Sequence, residues 1–179
     1  MPIYTRTGDK GQTSLANGQR VKKTDCLVEI FGNLDELNCL LGIAQNFVKT
    51  RQAKSTLPHI QNLLFNVGAQ IAQAPKRSFR AVIQKDVDDL ERGINKIEAW
   101  LTPLKNFILP GGLKSASFLH LSRAVCRRVE RSLIKDLNPK QIVNPNLLPF
   151  INRLSDYLFV LARLENKKIS AKEVLWKGK

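Results

Sequence analysis

No stretch of this chain approaches the roughly 18 consecutive apolar residues that a membrane-spanning helix needs. The opening MPIYTRTGDKGQ has neither the apolar centre of a secretion signal nor the amphipathic pattern of a presequence, so the cytoplasm is the expected compartment. Cysteine is scarce: Cys26, Cys39 and Cys126 are odd in number and far apart. That spacing offers no disulfide framework and no CxxC metal knuckle, and it suits a reducing compartment. Aromatic residues are only 7% of the chain, without a base-stacking pattern, and no zinc-finger or RNA-recognition motif is present. Also missing are the GxxxxGK[ST] phosphate loop, a convincing Ser/His/Asp or Cys/His set, internal repeats and low-complexity segments. Alternating strand patterns are almost absent.

Acidic residues are the other shortage. Fifteen Asp and Glu face 29 Lys and Arg, giving a net charge of +14 and a pI near 10.1. Such a surplus attracts something anionic: nucleic acid, an anionic membrane or a polyphosphate metabolite. With 179 residues, 43% of them hydrophobic, the chain suits one globular domain with its own core.

What is present is helical periodicity. Asn33 reads as the N-cap of a first helix, with Glu36 in capping-box position and Leu34, Leu37 and Leu41 as its stripe. Asp35 there either favours the positive helix start or pairs with an arginine. A second helix is expected over Pro58–Gln73, with His59 on its surface, and a basic loop carrying Lys76-Arg77 follows. A third covers about Lys85–Leu101. After a loop holding Pro139 and Pro145, a last helix spans about Asn146–Asn166, with Leu148, Ile151, Leu154, Leu158, Leu161 and Ala162 as its stripe. Asn152, Ser155, Asp156 and Tyr157 lie beside that stripe and need partners, either one another or a ligand. In the tail AKEVLWKGK, Leu175 and Trp176 are the expected anchors.

The densest cluster of unusual residues lies between Phe107 and Arg131. Phe107-Ile108-Leu109 forms an apolar tip, and Pro110-Gly111-Gly112 ends it with a turn. From Ser115 to about Asp136 no Pro or Gly interrupts a helix in which, at about 100° per residue, Leu119, Ser122, Cys126, Val129 and Leu133 share one face. His120, Arg123, Arg127, Glu130 and Arg131 share the neighbouring one. Arginines stacked at one-turn intervals repel. Such a ladder is either a solvated surface or is neutralised by a carboxylate or phosphate, and the Gly-Gly turn would let an anion approach the helix start. Residues 1–25 read either as a flexible terminus or as an ordered loop or arm, in which Gly8 and Gly11 free the backbone to curl its N–H groups inward beside Arg6, Thr7, Lys10 and Thr13. Five helical segments with short connections predict an all-α antiparallel five-helix bundle.

Three blocks then match one family in order and spacing: TRTGDKGQTSL, FGNLDELN at 31–38, and ILPGG…LHLSRAVCRRVER…INRLSDYLFVLAR from 108 to 163. Together they closely resemble the propanediol-utilisation type of ATP:cob(I)alamin adenosyltransferase. The resemblance implies a single domain over 1–179, with an ATP-binding arm (1–25), a bundle (32–166) and a tail (167–179), assembled as a homotrimer with sites between subunits. It implies transfer of the 5′-deoxyadenosyl group of ATP to cob(I)alamin, releasing triphosphate. ATP, with Mg2+, and reduced cobalamin would be its partners, not nucleic acid or membrane.

By the same resemblance Thr5, Arg6, Thr7, Gly8, Asp9, Lys10, Gly11, Thr13 and Lys23 would close over ATP. Arg127 would contact the phosphates, with Glu130, Arg131 and Asn152 in the nucleotide site. Asp35 and Arg123 would form an intersubunit salt bridge. Phe107 would stand beside the corrin and keep the lower axial ligand from cobalt; read without the family it is a hydrophobic loop anchor. Ser122, Val129 and Cys26-Leu27 depart from the family pattern. The surplus positive charge suits recruitment of an acidic flavin-dependent reductase or a cobalamin-dependent client enzyme. Two other readings remain at this point: a basic helical nucleic-acid-binding protein, and a silent ATP or cobalamin sensor or carrier.

Overall fold

The computed structural model describes residue 4 and residues 6–75, 79–137 and 144–178. Thr5, Lys76-Arg77 and Pro139 therefore lie outside the described residues. Five helices form a bundle: α1 (Cys26–Gln45), α2 (Arg51–Ile71), α3 (Gln84–Glu98), α4 (Lys114–Asp136) and α5 (Leu147–Lys168). Ahead of them β1 (Gln12–Ser14) and β2 (Arg20–Lys22) pair as an antiparallel hairpin, with Thr13 opposite Val21. In the bundle α4 packs against α5 and α1, α3 against α5, and α2 against α1.

The periodicity of α4 fixes its orientation. Leu119, Ser122, Cys126, Val129 and Leu133 are all fully buried, and they meet Ile151, Leu154, Leu158, Leu161 and Ala162 of α5 in one core. Each buried aliphatic side chain of this kind contributes about 1.5–3 kcal/mol of transfer free energy. Ser122 satisfies its hydroxyl by donating to the Phe118 carbonyl at 2.8 Å.

Helix starts differ from expectation for identifiable reasons. α1 begins seven residues before Asn33, at Cys26, because Asp25 caps it by accepting the Leu27 N–H at 2.9 Å. Asn33 is an interior, buried residue that donates to Ser132 Oγ of α4 at 3.2 Å. α2 begins at Arg51 behind the Thr50 cap, so Pro58 sits inside the helix. A proline there leaves the carbonyl four residues back without its helical donor. That carbonyl belongs to Lys54, and the Gln45 side-chain amide of α1 donates to it at 3.4 Å. His59 is exposed, as expected. α3 starts where Asp86 accepts the Ile83 N–H and a two-pronged Arg80 contact, each at 2.9 Å, and it ends at Glu98, short of Leu101. The short hairpin within residues 1–25 was not expected.

Candidate active site

All four polar residues beside the α5 stripe find partners inside the protein. Tyr157 donates to Thr56 Oγ1 at 2.9 Å and accepts from Gln52; Ser155 donates to its own helix; Asp156 pairs with Arg153. Asn152 instead reaches across to α4, where its Nδ2 donates to Glu130 Oε1 at 2.7 Å. Arg153 then donates to Asn152 Oδ1 at 3.1 Å and to Glu91 of α3 at 2.8 Å. Helices α3, α4 and α5 are thus tied by one polar chain, and Glu130 is held against Asn152 rather than left among the arginines.

The ladder arginines behave differently. Arg128, off the ladder, pairs with Glu36 of α1. Among the described residues Arg123, Arg127 and Arg131 form no ion pair, although Arg127 and Arg131 are exposed and Arg123 is half-buried with its Nε lacking a partner. Burial, and then the charge of Arg127, push the Arg123 pKa down. An unneutralised stack of this kind, one turn apart, is a ready anion site.

His120, one turn before Arg123, is 3% exposed and neither ring nitrogen has a partner among the described residues. Burial, with Arg123 nearby and Glu173 opposing, lowers its pKa to about 4. The Cys126 thiol is pushed up by burial and by Glu130 and Asp156, and it donates to the Ile151 carbonyl at 3.3 Å; it is a structural thiol, not a reactive one.

In the arm the structure brings Gly8, Gly11 and Lys23 together. The Lys23 N–H donates to the Gly11 carbonyl at 2.9 Å, and a Cβ on Gly8 would lie 3.4 Å from both Cε and Nζ of Lys23. The N–H groups of Asp9 and Gly11 donate to the carbonyls of Arg6 and Gly8, so the loop uses them itself. Arg20 fastens the hairpin by donating to the Thr7 carbonyl at 2.9 Å and to Ser14. Arg6, at φ 58°, stacks over Tyr4, and Asp9 and Lys10 are exposed.

Asp35 is exposed on α1, in an apolar cleft of about 300 Å³ that includes Phe31, Leu34 and Phe65, and within this chain it forms no ion pair with Arg123. Phe107 is 78% exposed and meets the Trp176 ring edge-on at 6.3 Å. The tail does dock, but by backbone: the Trp176 N–H donates to the Phe107 carbonyl at 2.7 Å and the Leu109 N–H to the Val174 carbonyl at 2.8 Å. At the Gly-Gly turn, where an anion was expected to approach, the Leu113 N–H is taken by Asn166 Oδ1 at 3.0 Å. The side chain of Asn166 fills the space over Gly112, where a Cβ would come 2.2 Å from its Oδ1.

Sequence reasoning overlooked Arg163, Glu165 and Asn166, all buried at the end of α5. A signal existed: continuing the stripe by four residues from Leu161 and Ala162 lands on Glu165 and Asn166. Polar residues where the stripe continues must find buried partners.

Among the described residues no helix is long and apolar enough to cross a membrane. Residues 3–165 match the family described as cobalamin adenosyltransferase. The corrinoid adenosyltransferase PduO of Salmonella typhimurium is 41% identical over 172 residues, covering 93% of this chain and 50% of that protein. The chain spans about half the length of the PduO proteins it matches in Salmonella and Citrobacter freundii, at 50% and 53%. A corrinoid adenosyltransferase of Bacillus subtilis is 38% identical, covering 94% of this chain and 88% of that one. A variant PduO-type ATP:corrinoid adenosyltransferase from Lactobacillus reuteri, solved in complex with cobalamin and ATP, superimposes with a TM-score of 0.88 at 35% identity, covering 99% of this chain and 100% of that one. This chain belongs to the cobalamin adenosyltransferase family.

Proposed function

We propose that the chain transfers the 5′-deoxyadenosyl group of ATP to cob(I)alamin, forming adenosylcobalamin and releasing triphosphate. The observation that carries this reading is the unneutralised stack of Arg123, Arg127 and Arg131 beside the Glu130–Asn152 pair, on a chain of this family. Co(I) is a strong nucleophile, so its attack on C5′ needs no protein base: the cobalt–carbon bond forms as the carbon–oxygen bond to triphosphate breaks. The protein's work is in-line positioning and stabilisation of the leaving charge. Arg127 contacts the phosphates with Arg131 nearby, Asn152 and Glu130 hold the nucleoside side, and the arm residues Thr5, Arg6, Thr7, Gly8, Asp9, Lys10, Gly11 and Thr13, with Lys23, close over it.

Among the described residues no three or more His, Cys, Asp and Glu side chains cluster as a metal cage. Mg2+ would therefore arrive on the phosphates, keep phosphate and water oxygens as ligands, and share the triphosphate charge.

The arm and the ladder would complete the site between copies in a homotrimer. Asp35 and the half-buried Arg123 support this, because each lacks the other within the chain while Asp35 borders an exposed apolar cleft. The exposed Phe107 ring forms an apolar wall on the lower face of the corrin, offering cobalt no ligand and excluding water, which eases reduction of Co(II). A single cytoplasmic domain fits this chemistry. If an acidic reductase docks on the basic surface, about 0.3 M salt lowers reductase-coupled turnover.

The test is anaerobic: purified protein, Mg·ATP and chemically reduced cob(I)alamin, followed by absorbance. ATP-dependent, light-sensitive product is the expected result. ATP binding without product would replace the reading with a sensor or carrier, and no ATP binding would remove the arm assignment.

A further inference from the structure

Phe107 has little core contact to hold it, yet its loop is supported at three points. The loop leaves Leu101 and returns at Leu113. At its leading foot, Arg163 Nη2 of α5 donates to the Thr102 carbonyl at 2.8 Å. At its trailing foot, Asn166 Nδ2 donates to the Gly111 carbonyl at 3.0 Å while its Oδ1 accepts the Leu113 N–H at 3.0 Å. Gly112 stands at φ +102° directly under that amide, a position no other residue could take without displacing it.

At its apex the loop is gripped by the chain that follows α5. Residues Val174 and Trp176 bond to Leu109 and Phe107, with Leu175 opposite Ile108 in an antiparallel bridge. That strap is itself anchored by α5. The Ala171 N–H donates to the Asn166 carbonyl at 3.0 Å, and Arg163, 5% exposed, grips Glu173 with two contacts at 2.8 and 3.1 Å. Two buried side chains on one helix turn therefore hold both feet of the loop and the strap across its tip.

We propose that Asn166 and the Arg163–Glu173 pair are positioning residues for Phe107, fixing the ring where the lower face of a corrinoid meets it. The inference rests on reading Phe107 as the lower-face wall. An exposed ring on an untethered loop would swing aside and readmit water or the corrinoid's own base to cobalt. A displacement of about 1 Å costs up to about a hundredfold in a positioned reaction. Glu173 is bonded to Arg163, which holds the leading foot of the loop, so its effect on cobalt is expected to pass through Phe107.

The experiment compares wild type, Phe107→Ala, Glu173→Ala, Asn166→Asp and Phe107→Ala/Glu173→Ala in the full-length protein. Turnover is measured from Co(II) with a reductant and from prepared Co(I), and electron paramagnetic resonance with ATP present gives the four-coordinate Co(II) fraction. Glu173→Ala is expected to lower Co(II)-started turnover by roughly tenfold or more and to shrink the four-coordinate fraction, with Co(I)-started turnover changed less than about threefold. The double variant is expected to be no worse than Phe107→Ala alone. Asn166→Asp, which sets a carboxylate against the Gly111 carbonyl, should show the same split; if it fails to fold, the Glu173 series decides. Wild-type behaviour of Glu173→Ala, or equal losses by both routes, overturns the inference when Phe107→Ala does show the split. Equal losses in Phe107→Ala itself overturn the wall reading instead.

Discussion

The two ends of the α4–α5 pair are built on opposite terms. Where α4 meets Asn152, Arg123, Arg127 and Arg131 have no counter-charge among the described residues, and the half-buried Arg123 keeps an unpartnered nitrogen. Where α5 ends, Arg163, Glu165 and Asn166 are enclosed and answered: Glu165, fully buried, accepts from the N–H groups of Lys49 and Thr50 and the hydroxyls of Thr50 and Ser115 at 2.6–3.0 Å. A polar group that is buried and satisfied holds shape; one that is unpartnered awaits something to bind. Under the proposed function, the difference separates residues that tune stability from residues that tune chemistry.

Breaking the satisfied end should produce the largest effects on folding. Glu165→Ala would strand three buried donors and the partly buried Lys49 N–H and lower unfolding stability by about 3–5 kcal/mol, read as a smaller urea midpoint with unchanged slope. Gly112→Ala follows at about 2–4 kcal/mol, since it combines a positive φ with a collision against Asn166. Wild-type midpoints in both would mean that this end is not the rigid one.

Arg127→Ala breaks the comparison from the other side. Its guanidinium is exposed and has no ion pair among the described residues, so unfolding stability should move by less than about 0.5 kcal/mol. ATP-dependent turnover should fall by about a hundredfold, the usual cost of removing one charge-stabilising donor. Wild-type kinetics would remove Arg127 from the phosphate site, and a large stability loss would show a partner that the single chain does not reveal.

The sequence was most legible where one element answers to its own period. The buried and polar faces of α4 follow from spacing alone, and five helical segments sufficed for a bundle. It misled where a local signal imitated a boundary. Asn33-Leu34-Asp35-Glu36 looks like a capping box, yet Asn33 bonds to Ser132 of α4; Pro58 looks like a first-turn proline, yet Gln45 covers the carbonyl it exposes. Strands of three residues are too short to show an alternation, so the hairpin went unseen. Glu165 and Asn166 were hidden because their partners lie far away in the chain. The candidate site was legible mainly by resemblance. Geometry joins Glu130 to Asn152 and Gly8 to Lys23, and places Phe107 at a separate, strapped tip.

His120 sits between the two ends and sharpens the comparison most finely, for a smaller effect. It is enclosed like the α5 cluster but unpartnered like Arg123, with Arg123 and Glu173 the charges that act on it and the Phe159 ring beside it. Its folded pKa near 4 lies below the ordinary 6.5, so the native ring stays neutral while the unfolded chain takes up a proton as pH falls. The stability it contributes is complete above pH 6.5 and is lost between there and pH 4, amounting to about 1.4 kcal/mol by pH 5.5. His120→Leu, which keeps the volume and removes the proton site, should flatten that part of the pH profile and leave stability at pH 7.5 the same or higher, because no buried nitrogen is left unsatisfied. An unchanged slope would show that the imidazole already has a partner when the protein is assembled, which would move His120 from the enclosed core to the side of the molecule that other groups complete.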